Sequence, residues 1–291
     1  MINSLLFLIV GIGIVPLFLH SVAATQLDIL GDIGTNSVAK RNLAILAKQN
    51  ECLLGVGDYS YTNSISSSMQ KLYNEIECKV GVPGNHELEK NEGKAWAQKN
   101  FNYLANGYGS WILKPNIGVI GLNPYTDSAK GSTQYNFVSK QLDLFKANPT
   151  IDWIIITMHP NFFTPTVEGG HGPEKQMRDT YLPLIEDKDL KERTILATGH
   201  NHITAFGKVQ GWNVVVCGGG GKGGDSVGGT GKNSGFEFAT SDQFGHCDMN
   251  LGRNIATVQL IGDDGTVKAL STFNKNNEGD EAPIIIVPQA N

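Results

Sequence analysis

The sequence predicts an α/β fold in which two mixed β-sheets face each other and carry helices on their outer sides. In the first half, apolar runs typical of buried strands alternate with helical segments. In the second half, apolar runs at 152–160 and 194–198 flank a helical segment, and a hairpin signal, Asp263-Asp264-Gly265, follows later. Alternating strands and helices of this kind build layered α/β domains.

The strand ends of the first half share one arrangement. Apolar runs there lead into a glycine followed by a polar residue, and these polar residues are Asp32, Asp58 and Asn85. The intervals are 26 residues from Asp32 to Asp58 and 27 residues from Asp58 to Asn85. Each interval fits one strand and one crossover helix, so the three polar groups should converge at one edge of a parallel sheet. Open α/β sheets place their chemistry at such carboxyl ends.

The remaining elements follow from local patterns. Asn36 and Ser37 offer N-cap oxygens for a helix predicted over 38–49. Further helices are predicted at 65–76, 93–103, 139–147 and 182–193, and further strands at 117–122, 212–217, 255–261 and 267–272. The glycine-rich segment 218–232 lacks the P-loop pattern and is interpreted as a flexible loop at the rim of the site.

Length and composition limit both the domain count and the class of partner. The chain has 291 residues, of which 40% are apolar and 18% are charged, and its sequence shows no internal repeat or linker. These values suit one α/β domain with a sizeable core. The net charge is −5 and the sequence has no basic cluster, so nucleic acid is not expected as a general partner.

Residues 1–24 are interpreted as an export signal, which leaves residues 25–291 as a single domain. The segment 5–19 is almost wholly apolar, and the small residues that follow it suit cleavage near Ala24. The protein is therefore expected to be secreted or extracytoplasmic. Residues 1–4 include no Lys or Arg, so an uncleaved N-terminal membrane anchor is the alternative.

The cysteines that follow the signal include no CxxC pair, so a zinc cluster or a thioredoxin-type motif is not indicated. Cys52 and Cys78 precede two of the polar residues by six and seven positions, at matching heights on strands that should be neighbours. Disulfides Cys52–Cys78 and Cys217–Cys247 are therefore expected. Buried free thiols are the alternative, because a sequence does not determine pairing.

Seven side chains at the strand ends offer only oxygen and nitrogen donors: Asp32, Asp58, Tyr61, Asn85, His159, His200 and His202. Such a set suits hard or borderline cations, meaning iron, zinc or manganese. Seven ligands are too many for one open catalytic ion, whereas two ions bridged by Asp58 account for all of them. His200 and His202 lie two positions apart in an extended segment, so they can each bind one ion. Taken singly, each residue could instead close a turn or cap a helix.

Five blocks carry these residues, at 31–34, 57–61, 84–87, 156–159 and 199–202. In order and spacing the blocks resemble the motif set of the purple acid phosphatases, a family within the metallophosphoesterases. Most other metallophosphoesterases carry histidine where this chain has Gly34, and they lack a tyrosine at the place of Tyr61. The fourth block departs only in having Ile156 in place of the usual valine. The short chain resembles the compact mammalian-type members.

The resemblance implies a four-layer α/β/β/α sandwich, the calcineurin-like metallophosphoesterase fold, with a dinuclear metal centre. It implies that a ferric ion is held by Asp32, Asp58, Tyr61 and His202. It implies that a divalent ion, Fe(II), Zn(II) or Mn(II), is held by Asp58, Asn85, His159 and His200. The implied activity is that of an acid phosphatase, which hydrolyses phosphate monoesters with a metal-bound hydroxide.

Two further histidines are candidates for catalysis. His86 directly follows Asn85, and His171 lies in a glycine-rich segment, 169–173. This segment resembles one in the compact enzymes whose histidine faces the substrate. A phosphate ester needs a donor to its free oxygens and a proton for its leaving alkoxide, and histidine can supply both. His246 is interpreted as structural.

The first hypothesis is thus a secreted acid phosphatase that acts on small phosphate esters. A phosphodiesterase or nucleotide-cleaving enzyme on the same metal centre is the second. The third is a non-catalytic secreted protein that binds metal or phosphate on the same scaffold. The intact ligand set argues against the third hypothesis, because an inactive scaffold has no need of all seven ligands.

Overall fold

The computed structural model describes residues 24–49, 51–103, 105–114, 116–166, 171–228 and 235–275, together with the backbone of 285–286. The expected export signal and its alternative, a membrane anchor, fall on residues that lie outside this description, apart from Ala24. Within the described ranges, no helix is long and apolar enough to cross a bilayer.

The first sheet is mixed. Its strands, in spatial order, are β14 (Ile285–Ile286), β13 (Val267–Asn274), β12 (Ile255–Gly262), β11 (Gly245–Leu251), β1 (Thr25–Leu30), β2 (Cys52–Gly55) and β3 (Cys78–Gly81). β1, β2 and β3 pair in parallel, whereas the other neighbours pair antiparallel. The parallel part is the one predicted from the spacing of the polar residues, and its strands end at a common edge.

The second sheet is mixed as well. Its strands, in spatial order, are β10 (Phe238–Thr240), β8 (Thr204–Val209), β9 (Trp212–Cys217), β7 (Thr194–Thr198), β6 (Trp153–Met158), β5 (Ile117–Gly121) and β4 (Gly109–Leu113). β5, β6, β7 and β9 form a parallel centre, and β4, β8 and β10 pair antiparallel at its two sides.

The helices lie outside the two sheets: α1 (Ser37–Leu46), α2 (Ser67–Glu75), α3 (Asn85–Leu88), α4 (Lys94–Phe101), α5 (Thr133–Ala147) and α6 (Lys175–Asp187). Ile29 and Ile155 belong to a buried cluster between the sheets. Leu30 packs with Leu43 of α1 in a second cluster, and Val138 of α5 packs in a third on the second sheet. This α/β/β/α order confirms the expected four-layer sandwich.

The helix boundaries differ from the predicted ones where capping decides them. Asn36 caps α1 as expected, since its side chain accepts the N–H of Ala39 at 2.9 Å. α5 begins at Thr133, before the predicted 139, because Ser132 caps it by accepting the N–H of Tyr135 at 3.1 Å. α6 starts at Lys175 and ends at Asp187 rather than spanning 182–193, and its first turns are mostly polar in sequence.

Five strands, β4, β8, β10, β11 and β14, are not among the predicted elements. β11 carries a signal that could have revealed it, because buried Cys247, Met249 and Leu251 alternate with polar residues. This period of two is typical of a strand with one buried face.

The two expected disulfides have different outcomes. Cys52 and Cys78 are direct neighbours on β2 and β3 and form the expected disulfide. The Cys217–Cys247 disulfide was a wrong prediction, because both residues are buried free thiols. Cys217 ends β9 in the second sheet, and its thiol donates to the carbonyl of Ile29 in the first sheet at 3.0 Å. Its sulfur also accepts the N–H of Cys247 at 3.1 Å, and the two thiols hydrogen-bond with each other.

Candidate metal centre

The loops after β1, β2 and β3 bring the polar residues of the first half together. The N–H of Asp32 donates to the carbonyl of Gly57 at 3.1 Å, and the N–H of Ile33 donates to the carbonyl of Asp58 at 3.1 Å. The third loop joins them through the N–H of His86, which donates to Asp58 Oδ1 at 3.0 Å. The convergence expected at the carboxyl edge of the parallel strands is therefore observed.

Three residues of this cluster have a left-handed backbone. The φ angles are 52° at Asp32, 53° at Asp58 and 68° at His200. Non-glycine residues rarely adopt this region, and such conformations cost roughly 1–3 kcal/mol each. They persist only where the surrounding structure imposes them, and here they set the directions of three polar side chains toward one point.

The second sheet contributes histidines from the ends of β6 and β7. His159 follows β6 and is fully buried. Its Nδ1 lies 2.7 Å from the carbonyl of Val56 and donates to it, because a carbonyl can only accept. Nε2 therefore faces the cluster, 3.2 Å from Asp58 Oδ2. A backbone partner on one ring nitrogen is the usual way to orient a metal-binding imidazole.

The other two histidines and the tyrosine close the cluster. Nδ1 of His200 lies 3.2 Å from His159 Nε2. Nε2 of His202 lies 3.6 Å from Asp32 Oδ1. The hydroxyl of Tyr61 donates to Asp32 Oδ1 at 2.9 Å and lies 3.2 Å from His202 Nε2. Six of the seven residues proposed as ligands thus form one chain of contacts, in which ligand atoms of Asp32, Asp58 and His159 lie within 4.8 Å of one another.

Asn85 is the seventh residue. It begins α3 and directly precedes His86, whose N–H bonds to Asp58. Its side-chain Oδ1 is buried and has no hydrogen-bond partner among the described residues. A buried carbonyl oxygen without a donor is costly, and a bound cation would relieve that cost.

The electrostatics of the cluster follow from burying opposite charges together. Burial raises the pKa of Asp58, but the neighbouring His159 and His86 outweigh burial and hold this pKa at about 2. Burial lowers the pKa of His159, but Asp58 and Asp32 raise it to about 10. Burial and the charge of His159 lower the pKa of His200 to about 3.

The donor set fits metal ions. A proton on His159 Nε2 and a metal ion compete for the same lone pair, which faces Asp58 and His200. Burial and the two carboxylates raise the pKa of Tyr61, so its phenolate needs a cation beside it. Oxygen and nitrogen donors without sulfur suit iron, zinc or manganese.

The sequence matches the family model of the calcineurin-like phosphoesterases over residues 26–218. The chain belongs to the calcineurin-like phosphoesterases. The match runs from the second residue of β1 to the first residue after β9, so it includes all seven residues described above. No curated protein matches this sequence.

Solved structures show the same fold at low sequence identity. Purple acid phosphatase PPD1 from yellow lupin (Lupinus luteus) seeds is similar with a TM-score of 0.70 and 15% identity, over 87% of this chain and 54% of the lupin chain. This chain therefore spans about half the length of the lupin enzyme. GAP50, the anchor in the inner membrane complex of Plasmodium, gives a TM-score of 0.64 and 16% identity over 87% of this chain and 89% of its own. A dimetal phosphatase from Danio rerio gives 0.51 and 10% identity, over 87% of this chain and 100% of its own.

The two histidines predicted to take part in catalysis lie beside the cluster in this calcineurin-like phosphoesterase. His86 Nε2 is 3.8 Å from Asp58 Oδ2, its ring contacts Tyr61 with centroids 4.1 Å apart, and its Nδ1 bonds to Glu92. His171 is exposed, and its ring centroid lies 4.1 Å from that of His200. Both side chains are close enough to the cluster to contact a molecule bound there.

Three residues that the sequence did not single out support the site. Glu87 is fully buried and accepts the N–H groups of Asp58 and Tyr59 at 2.9 Å and of Gly84 at 2.8 Å. Asp225 accepts the N–H of His202 at 3.1 Å. Lys222 places its ammonium 5.0 Å from the ring centroid of Tyr61, and its N–H donates to the carbonyl of Asp32 at 2.9 Å. Residues of the glycine-rich segment therefore line the site.

Gly84 is required by a close approach between loops. A Cβ atom at this position would lie 2.0 Å from Asp58 Oδ1 and 2.6 Å from the backbone nitrogen of Asp58. No side chain can be accommodated there unless the loop that carries Asp58 moves. Because residue 84 is glycine, the loop after β3 can approach Asp58 in the loop after β2.

Proposed function

We propose that this protein is a secreted acid phosphatase that hydrolyses phosphate monoesters at a dinuclear centre of one ferric and one divalent ion. The observation that carries the proposal is the place of Tyr61, whose hydroxyl lies 2.9 Å from Asp32 Oδ1 and 3.2 Å from His202 Nε2. A phenolate among carboxylate and imidazole ligands suits Fe(III), because this hard, highly charged cation deprotonates its ligands on binding.

The contacts support a division of the ligands into two groups that share Asp58. Tyr61 contacts Asp32 and His202, and it also hydrogen-bonds with Asp58. These four residues would hold the ferric ion. On the other side, His159 lies between Asp58 and His200 at 3.2 Å from each. Together with Asn85, these residues would hold the divalent ion, Fe(II), Zn(II) or Mn(II).

Bound together, the two ions would neutralise phosphate charge and lower the pKa of a water molecule that attacks phosphorus. The protein's own residues supply orientation and protons. Glu92 and Lys90 both contact the imidazole of His86 and fix its orientation beside Asp58. Because Lys90 can only donate, Nε2 accepts from it, and His86 would donate to a phosphate oxygen once Nε2 is protonated and Lys90 has left it. Exposed His171 next to His200 is placed to give a proton to the leaving alkoxide.

Export is part of the proposal. The apolar segment 5–19 and the small residues before Ala24 support cleavage there. The disulfide between Cys52 and Cys78 supports an oxidising compartment, because cytosolic thiols are normally kept reduced.

Replacing His171 by alanine tests its role as a proton donor. The variant should keep both metal ions, because the contacts among the seven proposed ligands do not involve this side chain. Turnover should fall by about a hundredfold, the lower end of general acid–base effects. The acid-to-neutral pH profile should lose one ionisation.

His171→Gln keeps a hydrogen-bond donor that does not titrate, so it should restore substrate binding but not the profile. Unchanged rates and an unchanged profile in His171→Ala would make His171 a loop residue without a catalytic role.

The reaction itself is tested with two chromogenic substrates and metal-loaded protein. p-Nitrophenyl phosphate is a monoester and should be hydrolysed faster than bis(p-nitrophenyl) phosphate, its diester. Faster turnover of the diester would favour a phosphodiesterase or nucleotide-cleaving enzyme. No turnover of either ester with two metal ions bound would favour a non-catalytic protein that binds metal or phosphate.

A further inference from the structure

A second cluster of carboxylates lies on the outer face of the first sheet. Leu27 and Ile29 of β1 face the core between the sheets, so Asp28 points to the opposite face. Asp248 of β11 lies directly across from Asp28 in the sheet register. Glu51 precedes β2, and one oxygen from each of the three carboxylates lies within 4.8 Å of the others.

The three carboxylates repel one another, and Lys114 offsets that repulsion only at Glu51, whose pKa it lowers against the raising effects of burial and Asp248. Asp28 is only 2% exposed, and its Oδ1 has no hydrogen-bond partner among the described residues. Glu51 Oε2 and Asp248 Oδ1 are also buried atoms without a hydrogen-bond partner among the described residues. Like charges directly opposite each other destabilise a sheet. Burial, Glu51 and Asp248 raise the pKa of Asp28 to about 8.

His246 is an independent sign that a ligand belongs here. It lies two positions before Asp248 on β11, so both side chains are on the same face. The imidazole is fully buried, and in the described part of the chain neither ring nitrogen has a hydrogen-bond partner. Nε2 is aimed at the cluster, 3.6 Å from Asp28 Oδ1. Burying an imidazole whose two nitrogens make no hydrogen bond costs free energy. A cation bound between the carboxylates would supply the positive charge that the cluster lacks.

We propose that Asp28, Glu51 and Asp248 form a binding site for a structural divalent cation, Ca²⁺, with His246 behind Asp28. Three carboxylate oxygens are hard donors, and Ca²⁺ binds oxygens at about 2.3–2.6 Å, which allows oxygens on opposite sides to lie about 5 Å apart. Cysteine, which would favour softer metals, is absent from this donor set. Glu51 and Asp248 are only partly buried, so the ion can reach the site and keep water ligands.

The site is separate from the candidate metal centre. Asp28 lies four residues before Asp32 on the same chain, which corresponds to roughly 13 Å along an extended strand. The proposal therefore does not depend on phosphatase activity, and each site can be removed without the other.

Calcium binding to purified, metal-loaded protein tests the proposal. Equilibrium dialysis should show one Ca²⁺ per chain, and saturating Ca²⁺ should raise the melting temperature by several degrees. Glu51→Gln and Asp248→Asn should each weaken Ca²⁺ binding by about tenfold or more. Mutating a residue that only supports a metal ligand already lowers metal affinity by about tenfold, so losing a ligand should lower it at least as much. Turnover of p-nitrophenyl phosphate should be unchanged in both variants. Glu186→Gln, which alters an exposed carboxylate of α6, is the matched control and should bind Ca²⁺ like the parent protein.

Asp58→Asn supplies the reverse control, because it should disable the phosphatase centre and keep the bound Ca²⁺. The two half-buried carboxylates can be changed without opening the core, so misfolding would not obscure the result. The proposal is overturned if the parent protein binds no Ca²⁺ and its melting temperature does not respond. It is also overturned if Ca²⁺ binding survives Glu51→Gln and is lost in Asp58→Asn.

Discussion

Replacing Asp58 by asparagine should abolish at least one bound metal ion and lower phosphatase turnover by several powers of ten. Asp58 borders both ligand groups, because its side chain hydrogen-bonds with Tyr61 and its Oδ2 lies 3.2 Å from His159 Nε2. Its Oδ1 accepts the N–H of His86 at 3.0 Å. Asparagine has the same shape and can still accept the N–H of His86. Its amide group, however, carries no charge and places hydrogens where an ion would bind. Metal analysis and steady-state turnover measure the outcome.

Asp179→Asn is the matched control for this variant. Asp179 lies on α6 with its side chain 69% exposed, so its charge is not needed for the centre. This control should keep both metal ions and full turnover. If Asp58→Asn itself retained two metal ions and near-native turnover, a dinuclear centre bridged by Asp58 would be ruled out.

Replacing Tyr61 by phenylalanine should remove the visible colour of the iron-loaded protein. A phenolate donates electron density to Fe(III), so the oxidised parent protein should show a charge-transfer band and a purple colour. The variant lacks the oxygen that lies 2.9 Å from Asp32 Oδ1, whereas its ring can keep the packing against His86. We expect a folded, colourless protein that retains iron poorly and has reduced turnover. A visible spectrum and iron analysis measure this.

Tyr59→Phe is the control for the loss of a hydroxyl in the same loop. The hydroxyl of Tyr59 donates to the carbonyl of Val82 at 2.7 Å, and its ring stacks on Phe101, away from the proposed ligands. This variant should lose about 1 kcal/mol of stability and keep its colour. A parent protein that is active, fully loaded with metal and colourless would show that Tyr61 does not bind Fe(III). The centre would then be that of a zinc or manganese phosphoesterase.

The sequence was most informative where a local pattern reports a strand and its end. Apolar runs followed by glycine and a polar residue identified Asp32, Asp58 and Asn85, because buried parallel strands need continuous apolar side chains and end in tight loops. The same reasoning located His159 and His200 at the ends of β6 and β7. Regular spacing then implied that the loops of Asp32, Asp58 and Asn85 meet, and the structure confirms it.

Helix starts and the strands with short alternating patterns were less predictable. α5 begins where Ser132 provides a cap, and β11 alternates buried and polar residues in a short segment. Such signals are weak in one sequence, because neighbouring strands determine whether a short alternating segment becomes part of a sheet.

The sequence by itself determined the parallel strands that lead into the site, the two-sheet architecture and the residues that follow the strand ends, since these depend on patterns within short segments. Only the tertiary structure decided the individual contacts between distant segments. It left Cys217 and Cys247 as free thiols and made Glu87 the link between two loops. It also placed Asp28 opposite Asp248. For the strand residues the physical reason is register: their contacts depend on how strands far apart in the chain align, and a shift of one residue would turn Cys247, Asp28 or Asp248 to the other face.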